Sequence, residues 1–194
     1  MIDKRAARGP FMQWKNTEQR YGSVAMFLHW GIALGILALI GLGLYMTSLP
    51  DGNDKWDFYS LHKSIGMLVF LFIVMRILWR IRSIVPPLPA GLKTVETLLA
   101  RLTHGLIYLA MVLIPISGYV DSSAGGYKLK FFGLFDVPKI IEKDKALEQL
   151  SLAVHEWTAY LLITLILLHA GAAFKHHFVY KDDTLRRMLP ILRK

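Results

Sequence analysis

Four long apolar segments constrain this chain more than any other feature. They cover approximately residues 24–45, 60–79, 103–120 and 154–174. A helix needs about 20 mostly apolar residues to cross the hydrocarbon core of a bilayer. The whole chain is 54% hydrophobic with a mean hydropathy of +0.41, above the roughly 45–50% apolar content of soluble domains. We therefore predict an all-α integral membrane protein, a bundle of four transmembrane helices.

The positions of lysine and arginine predict the orientation of the bundle. Groups of five, five and six basic residues lie before the first span, after the second and after the fourth, and together hold 16 of the 23. They are Lys4, Arg5, Arg8, Lys15 and Arg20; Arg76, Arg80, Arg82, Lys93 and Arg101; and Lys175, Lys181, Arg186, Arg187, Arg193 and Lys194. The positive-inside rule makes that side cytoplasmic, so both termini are expected in the cytoplasm.

The connections and the chain ends complete this organisation. The first connection, residues 47–59, is acidic, and the third, residues 121–151, is mixed in charge; both should face outward. We expect a polar cytoplasmic extension at 1–22, a transmembrane domain at 23–180 and a basic cytoplasmic tail at 181–194. No cleavable signal peptide is expected. The net charge of +9 reflects membrane topology, and no nucleic-acid partner is expected.

Four histidines lie inside the predicted spans, where an ionisable residue usually marks a functional site. His29 and His169 fall near the cytoplasmic side, whereas His62 and His155 fall near the outer side. His155 and His169 are 14 residues apart, almost four helical turns, so they share one face about 21 Å apart along the axis. Depth therefore pairs His29 with His169, and His62 with His155, each across two helices.

Paired histidines within a helical bundle are typical of cofactor sites, and histidine is a common axial ligand of haem iron. The chain has no cysteine, which excludes the thioether attachment of c-type haem and thiolate-held iron–sulfur clusters. We therefore predict two non-covalently bound b-type haems, with the inner iron on His29 and His169 and the outer iron on His62 and His155. The alternative for any single histidine is a structural hydrogen bond within the membrane.

Other residues agree with haem binding but have alternative explanations. Arg76 lies 14 residues after His62 on the same helix face, where it can bind a haem propionate or extend to the membrane interface. His104, at a span boundary, can replace a ligand, contact a propionate, line a quinone pocket or simply be interfacial; His176 and His177 are read as interfacial. Three glycines lie near these histidines in the spans: Gly31, Gly35 and Gly66. Each either makes room for a flat macrocycle or allows close contact between helices.

At these residues the chain resembles the bacterial cytochrome b561 family, over nearly all of its length from Tyr21 onward. The matching stretches are Leu28-His29-Trp30, Leu61-His62-Lys63-Ser64-Ile65-Gly66, Arg76-Ile77-Leu78-Trp79-Arg80, His104-Gly105-Leu106-Ile107-Tyr108, Pro115-Ile116-Ser117-Gly118, His155-Glu156, Leu168-His169-Ala170, His176-His177 and Lys181-Asp182-Asp183-Thr184-Leu185-Arg186-Arg187-Met188. The extension at 1–22 is not part of the shared pattern.

The resemblance implies a four-helix fold in the bacterial inner membrane, with two haems b and ubiquinone as redox partner. The family's histidine ligands fall on His29, His62, His155 and His169. At least one member looks like a superoxide oxidase, which passes electrons from superoxide outside to ubiquinone. Relatives of the family anchor dehydrogenases and hydrogenases.

The sequence leaves three possible functions to be compared. The first is a quinone-linked oxidoreductase whose outer donor is superoxide or a redox protein. The second is an electron-conducting anchor subunit that docks a soluble enzyme, with the third connection as docking surface. The third is a channel, transporter or metal-binding protein, which the histidine pairs disfavour because zinc needs ligands converging on one point.

Lysines near the outer site bear on the superoxide hypothesis. Lys63 directly follows a proposed ligand, and Lys128 and Lys130 lie in the third connection. Lysines beside a partly open haem would raise the encounter rate with a small anion. The alternative is that they are ordinary solvated charges.

The orientation can be tested with reporter fusions. A reporter fused after Lys194 or at Arg8 should lie in the cytoplasm, and one fused near Asp51 should lie outside the membrane. The reason is that the basic groups stay on the cytoplasmic side. An external C-terminus would contradict the charge argument and exchange the two haem positions.

Overall fold

Four long helices dominate the computed structural model, which describes residues 13–88 and 92–189. They are α1 (Ser23–Ser48), α2 (Asn53–Arg82), α3 (Thr94–Ala124) and α4 (Lys145–Lys175). All four are long and apolar enough to cross a membrane, so the four predicted spans are confirmed. The predictions that concern Lys4, Arg5, Arg8, Arg193 and Lys194 lie outside the described residues.

The helices are longer than the apolar segments that predicted them. Both α3 and α4 begin nine residues before the predicted span starts at 103 and 154. Hydropathy detects only the most apolar part of a helix, whereas helical hydrogen bonding continues into flanks that mix charged residues with leucines. At the start of α4 the Asp144 carboxylate accepts hydrogen bonds from the backbone N–H groups of Ala146 and Leu147, at 2.9 and 3.0 Å, which caps the helix.

The helices pack as two antiparallel pairs. α1 lies along α2 and α3 along α4, while the contacts between the pairs are few and lie mainly between α2 and α3. An apolar layer fills the middle of the bundle, with members from every helix: Ile32, Ile36, Val69, Ile73, Ala110, Met111 and Leu162. α3 runs through Pro115 without interruption.

A short β-hairpin in the third connection was not predicted from the sequence. Strands β1 (Lys130–Phe131) and β2 (Phe135–Asp136) pair antiparallel. The buried hydroxyl of Ser64 on α2 holds the hairpin: it lies 3.1 Å from the Lys130 carbonyl oxygen and accepts the Phe132 N–H at 3.0 Å. Two-residue strands carry no alternating pattern, so no periodicity could have indicated them.

Both chain ends fold over the same end of the bundle. The Asn16 amide donates to the Ile84 carbonyl at 2.8 Å, and the Trp30 indole N–H donates to the Met188 carbonyl at 2.8 Å. After α4 the chain forms a π-helical turn (His176–Tyr180) and a 3₁₀ turn (Arg186–Met188). The described parts of the extension and of the tail therefore cover one end of the bundle, beside His29.

Candidate functional site

The structure brings the four intramembrane histidines together in the two predicted pairs. The ring centroids of His29 on α1 and His169 on α4 are 6.3 Å apart. Those of His62 on α2 and His155 on α4 are also 6.3 Å apart. Each histidine pair joins a helix of the α1–α2 pair to α4, which contributes one histidine to each.

The centroid distance fits two rings that share one metal atom. Bonds of about 2.0 Å from two ring nitrogens to one metal place the centroids about 6 Å apart. A direct N–H···N hydrogen bond of about 2.9 Å would bring them to about 5 Å. The 6.3 Å separation in both pairs therefore favours an atom held between the rings over a structural hydrogen bond. Two histidines that face each other in this way could hold a haem iron between them.

Hydrogen bonds prepare some of these rings as ligands. Nδ1 of His155 lies 2.9 Å from the Ile114 carbonyl oxygen on α3. In the tautomer with the proton on Nδ1, this N–H donates to the carbonyl and Nε2 is free to bind a metal. Such a bond to the second ring nitrogen orients a metal-binding histidine. Nδ1 of His62 is buried and has no hydrogen-bond partner among the described residues, so no structural bond occupies that nitrogen.

His104 lies beside the inner pair without matching the geometry of a shared metal. Its ring centroid is 5.1 Å from that of His169, closer than two axial ligands of one iron. Its Nδ1 lies 2.7 Å from the Ala100 carbonyl oxygen in its own helix. This contact distance favours His29 over His104 as the partner of His169.

Glycines next to the rings serve different purposes. A Cβ on Gly118 would lie 3.0 Å from Nδ1 of His155, and one on Gly43 would lie 3.5 Å from Cε1 of His62. A Cβ on Gly31 or Gly66 would meet nothing within 4 Å, which is the open space that a macrocycle needs. Gly35, in contrast, allows close packing of α1 against Val69, so at this position helix contact is the explanation.

All four helices repeat the same spacing between the two levels. Residues 14 apart on each helix are His29 and Gly43, His62 and Arg76, His104 and Gly118, and His155 and His169. The level predicted to be inner therefore holds three histidines and an arginine, and the level predicted to be outer holds two histidines and two glycines. Sequence reasoning missed Gly43 and Gly118, although this spacing from the neighbouring histidines would have found them.

Arg76 is fixed at the inner level. Its Nη1 donates to the Ala25 carbonyl on α1 at 3.0 Å, one turn before His29. The nearby Trp79 indole nitrogen and Tyr108 hydroxyl are buried and have no partner among the described residues. Together with Arg80, these side chains line a narrow cleft. A cleft of donors suits an anionic acceptor such as a haem propionate.

The lysines predicted near the outer site fall into two environments. Lys128 and Lys130 line an outer cavity of about 290 Å³ together with Lys139, which the sequence did not single out, and Asp136. The Lys63 ammonium instead lies 5.2 Å from the centre of the Tyr127 ring.

Tyr127 in turn is tied to the start of α4. Its hydroxyl donates to the Glu148 carboxylate at 2.8 Å. This hydrogen bond raises the pKa of the Tyr127 phenol, which keeps the phenol protonated. Lys63 is therefore part of a packed cluster that joins α2 to the third connection and α4, and it is not a freely solvated charge.

The close approach of Gly118 to His155 generates a prediction. Gly118→Ala should push the His155 ring away from its position, at a cost of about 1–3 kcal/mol for an overpacked site. The variant should retain less haem or show a shifted haem spectrum. Gly43→Ala is the matched control, since its Cβ makes only ordinary contact with His62. Unchanged haem content and spectrum in Gly118→Ala would contradict this reading of the site.

Comparisons with known proteins identify the family of this chain. The sequence profile of the family described as prokaryotic cytochrome b561 matches residues 20–190. Cytochrome b561 homolog 2 of Escherichia coli (strain K12) is 40% identical over 181 residues, which cover 92% of this chain and 95% of the relative.

Two further relatives are more distant. Cytochrome b561 homolog 1 of the same organism is 29% identical, with 88% of this chain and 97% of the relative covered. A probable superoxide oxidase CybB of Yersinia pestis is 28% identical, with 89% and 97% covered. These matches confirm the resemblance based on motifs. The chain belongs to the prokaryotic cytochrome b561 family, whose members are multi-pass proteins of the bacterial inner membrane that carry b-type haem and transfer electrons across the membrane.

Proposed function

We propose that this chain transfers electrons through two b-type haems, from a donor outside the membrane to ubiquinone. The observation that carries the proposal is the pair of histidine sites, each with centroids 6.3 Å apart, one near each end of the bundle. A protein with one such site would bind a cofactor on one side only. Two sites on α4 provide a route from one face to the other.

The side chains hold and separate the two cofactors. His29 and His169 would hold the iron of the inner haem, and His62 and His155 would hold that of the outer haem. When bound, each haem supplies one-electron chemistry at its iron. Leu162 lies midway between the two α4 histidines in the apolar layer, which excludes water from the space between the sites. The two proposed ligand levels are about 21 Å apart along α4.

Arg76 is the residue that we assign to an inner propionate. It lies at the level of His29, and its bond to the Ala25 carbonyl uses only one of the five N–H donors of the guanidinium. The buried Trp79 and Tyr108 donors beside it add to a site that favours a carboxylate. The propionate would neutralise the charge of Arg76, which would allow the protein to keep a charged side chain at that depth.

Superoxide is the outer donor that we propose. One relative is a probable superoxide oxidase, and lysines lie in the third connection and directly after His62 in the sequence. In the balanced reaction two superoxide anions each lose one electron and leave as O₂. One ubiquinone takes up both electrons and two protons and becomes ubiquinol. Lys128 and Lys130 at the outer cavity would raise the local concentration of the anion.

An electron-conducting anchor subunit is the second function. It shares the fold and the two sites, and it would need a soluble partner at one face. The third connection, with exposed apolar side chains such as Leu134 and Ile140, is the surface that favours it. Purification without a tag distinguishes the two functions, because an anchor subunit should co-isolate with its enzyme in fixed proportion.

The ligand pairs can be tested one histidine at a time. His62→Ala and His155→Ala should each lose the outer haem and keep the inner one, and His29→Ala and His169→Ala should do the reverse. His104→Ala is the control and should keep both, because its ring is too close to His169 to share the iron. Haem content and reduced-minus-oxidised spectra measure the result. Loss of a haem in His104→Ala with both retained in His29→Ala would show that the pairing is wrong.

The superoxide reaction can be tested by reversing charges. Lys63→Glu with Lys128→Glu should slow haem reduction by superoxide about tenfold at low salt, the lower end of electrostatic steering effects. Added salt should slow the parent by screening. Because Lys63 packs on Tyr127, Lys128→Glu with Lys130→Glu provides a second pair without that contact.

The control for this test reverses Lys15 and Lys181 at the other end of the bundle, which should leave the rate and the haem spectrum unchanged. If superoxide reduces the parent no faster than free haem, superoxide is not the donor. Equal slowing by the control pair would mean that the overall charge matters and the outer lysines do not.

A further inference from the structure

The β-hairpin of the third connection is bonded to a residue inside the apolar segment of α2. Ser64, which holds the hairpin, is 11 residues from the start of α2 at Asn53, about 16 Å along the helix. It is also four residues inside the apolar segment that begins at residue 60, and two residues past His62. The base of the hairpin is therefore at the depth where the outer lipid head groups meet the acyl chains.

The tip of the hairpin is apolar and faces away from the protein. Phe132 is 44% exposed, Leu134 77% and Phe135 57%. Together these three residues form what we call the apolar tip. Exposing these apolar side chains to water is unfavourable in free energy. Covering them with lipid acyl chains would remove this contact with water.

Three backbone donors of the hairpin are satisfied within the protein. The Phe132 N–H donates to Ser64, the Leu134 N–H to the Phe131 carbonyl at 2.9 Å, and the Val137 N–H to the Leu129 carbonyl at 2.9 Å. Backbone in lipid must satisfy its donors internally. Phe132 and Gly133 adopt left-handed conformations, with φ of 47° and 73°, and this tight turn keeps the segment short.

Charges at the base of the hairpin indicate which partner covers the tip. Lys128, Lys130 and Lys139 surround the cavity behind it, with Asp136 as the acidic member. Apolar groups on one side and lysine ammonium groups on the other match the acyl chains and phosphates of a phospholipid. A neighbouring span residue, Leu61, is also exposed, so the apolar surface continues from the lipid-facing side of α2.

We propose that the apolar tip inserts among the acyl chains of the outer leaflet, as an interfacial anchor for the third connection. The anchor fixes the lysines of the outer cavity at the level of the phosphates, next to the outer histidine pair. This inference does not depend on the redox function, because it rests on depth, exposure and charge alone.

Spin labels test the insertion directly, since a chain without cysteine accepts a single labelled cysteine cleanly. The variants are Leu134→Cys in the tip, Leu71→Cys on the exposed middle of α2, and Asp54→Cys at its polar start. Each is placed in phosphatidylethanolamine–phosphatidylglycerol vesicles. Collision with O₂, which concentrates in lipid, is compared with collision with a water-soluble nickel chelate.

The label at 134 should collide more with O₂ than with nickel, at a depth between those of the labels at 54 and 71. A nickel accessibility equal to that of the label at 54 would place the tip in water and overturn the proposal. A label shielded from both quenchers would mean that protein covers the tip, which also overturns it. Unchanged circular dichroism and thermal unfolding of each variant establish that the fold is retained.

Discussion

A polar side chain inside a bilayer must find its partner within the protein, because the acyl chains offer none. This requirement organises the whole bundle. Arg76 bonds to the Ala25 carbonyl, His155 bonds to the Ile114 carbonyl, and Ser64 secures the hairpin. After these bonds are counted, the histidine rings still face one another in pairs at 6.3 Å. We propose that the partner of each pair is an iron atom.

The spacing of 14 residues relates the two sites on every helix. Almost four helical turns return each chain to the same face about 21 Å along, so each helix contributes one residue to each level. The levels then differ in character, because α1 and α3 supply histidines inside but glycines outside. Gly43 and Gly118 leave room for the outer rings, whereas Arg76 and His104 add polar groups to the inner level. The outer site is thus enclosed by small residues, and the inner site is lined with donors.

Periodicity explains which features the sequence predicted. The spans and the depth pairing of the histidines follow from hydropathy and from rise per residue, which are properties of one helix at a time. Contacts between segments distant in sequence could not be predicted in this way. The hairpin depends on Ser64, 66 residues before Lys130, and the packing of Lys63 on Tyr127 depends on how the third connection folds back. The additional helical turns at the starts of α3 and α4 mix polar and charged residues with leucines, so hydropathy did not register them.

The number of haems bound per chain tests the central proposal most directly. The measurement is the molar ratio of non-covalent haem b to polypeptide in protein purified after haem-replete expression, with electron paramagnetic resonance to report the spin state. Two histidine pairs of equal geometry require a ratio of two, with both irons six-coordinate and low-spin. A ratio of one, or a high-spin iron in the purified protein, would contradict the assignment of both pairs as axial ligands.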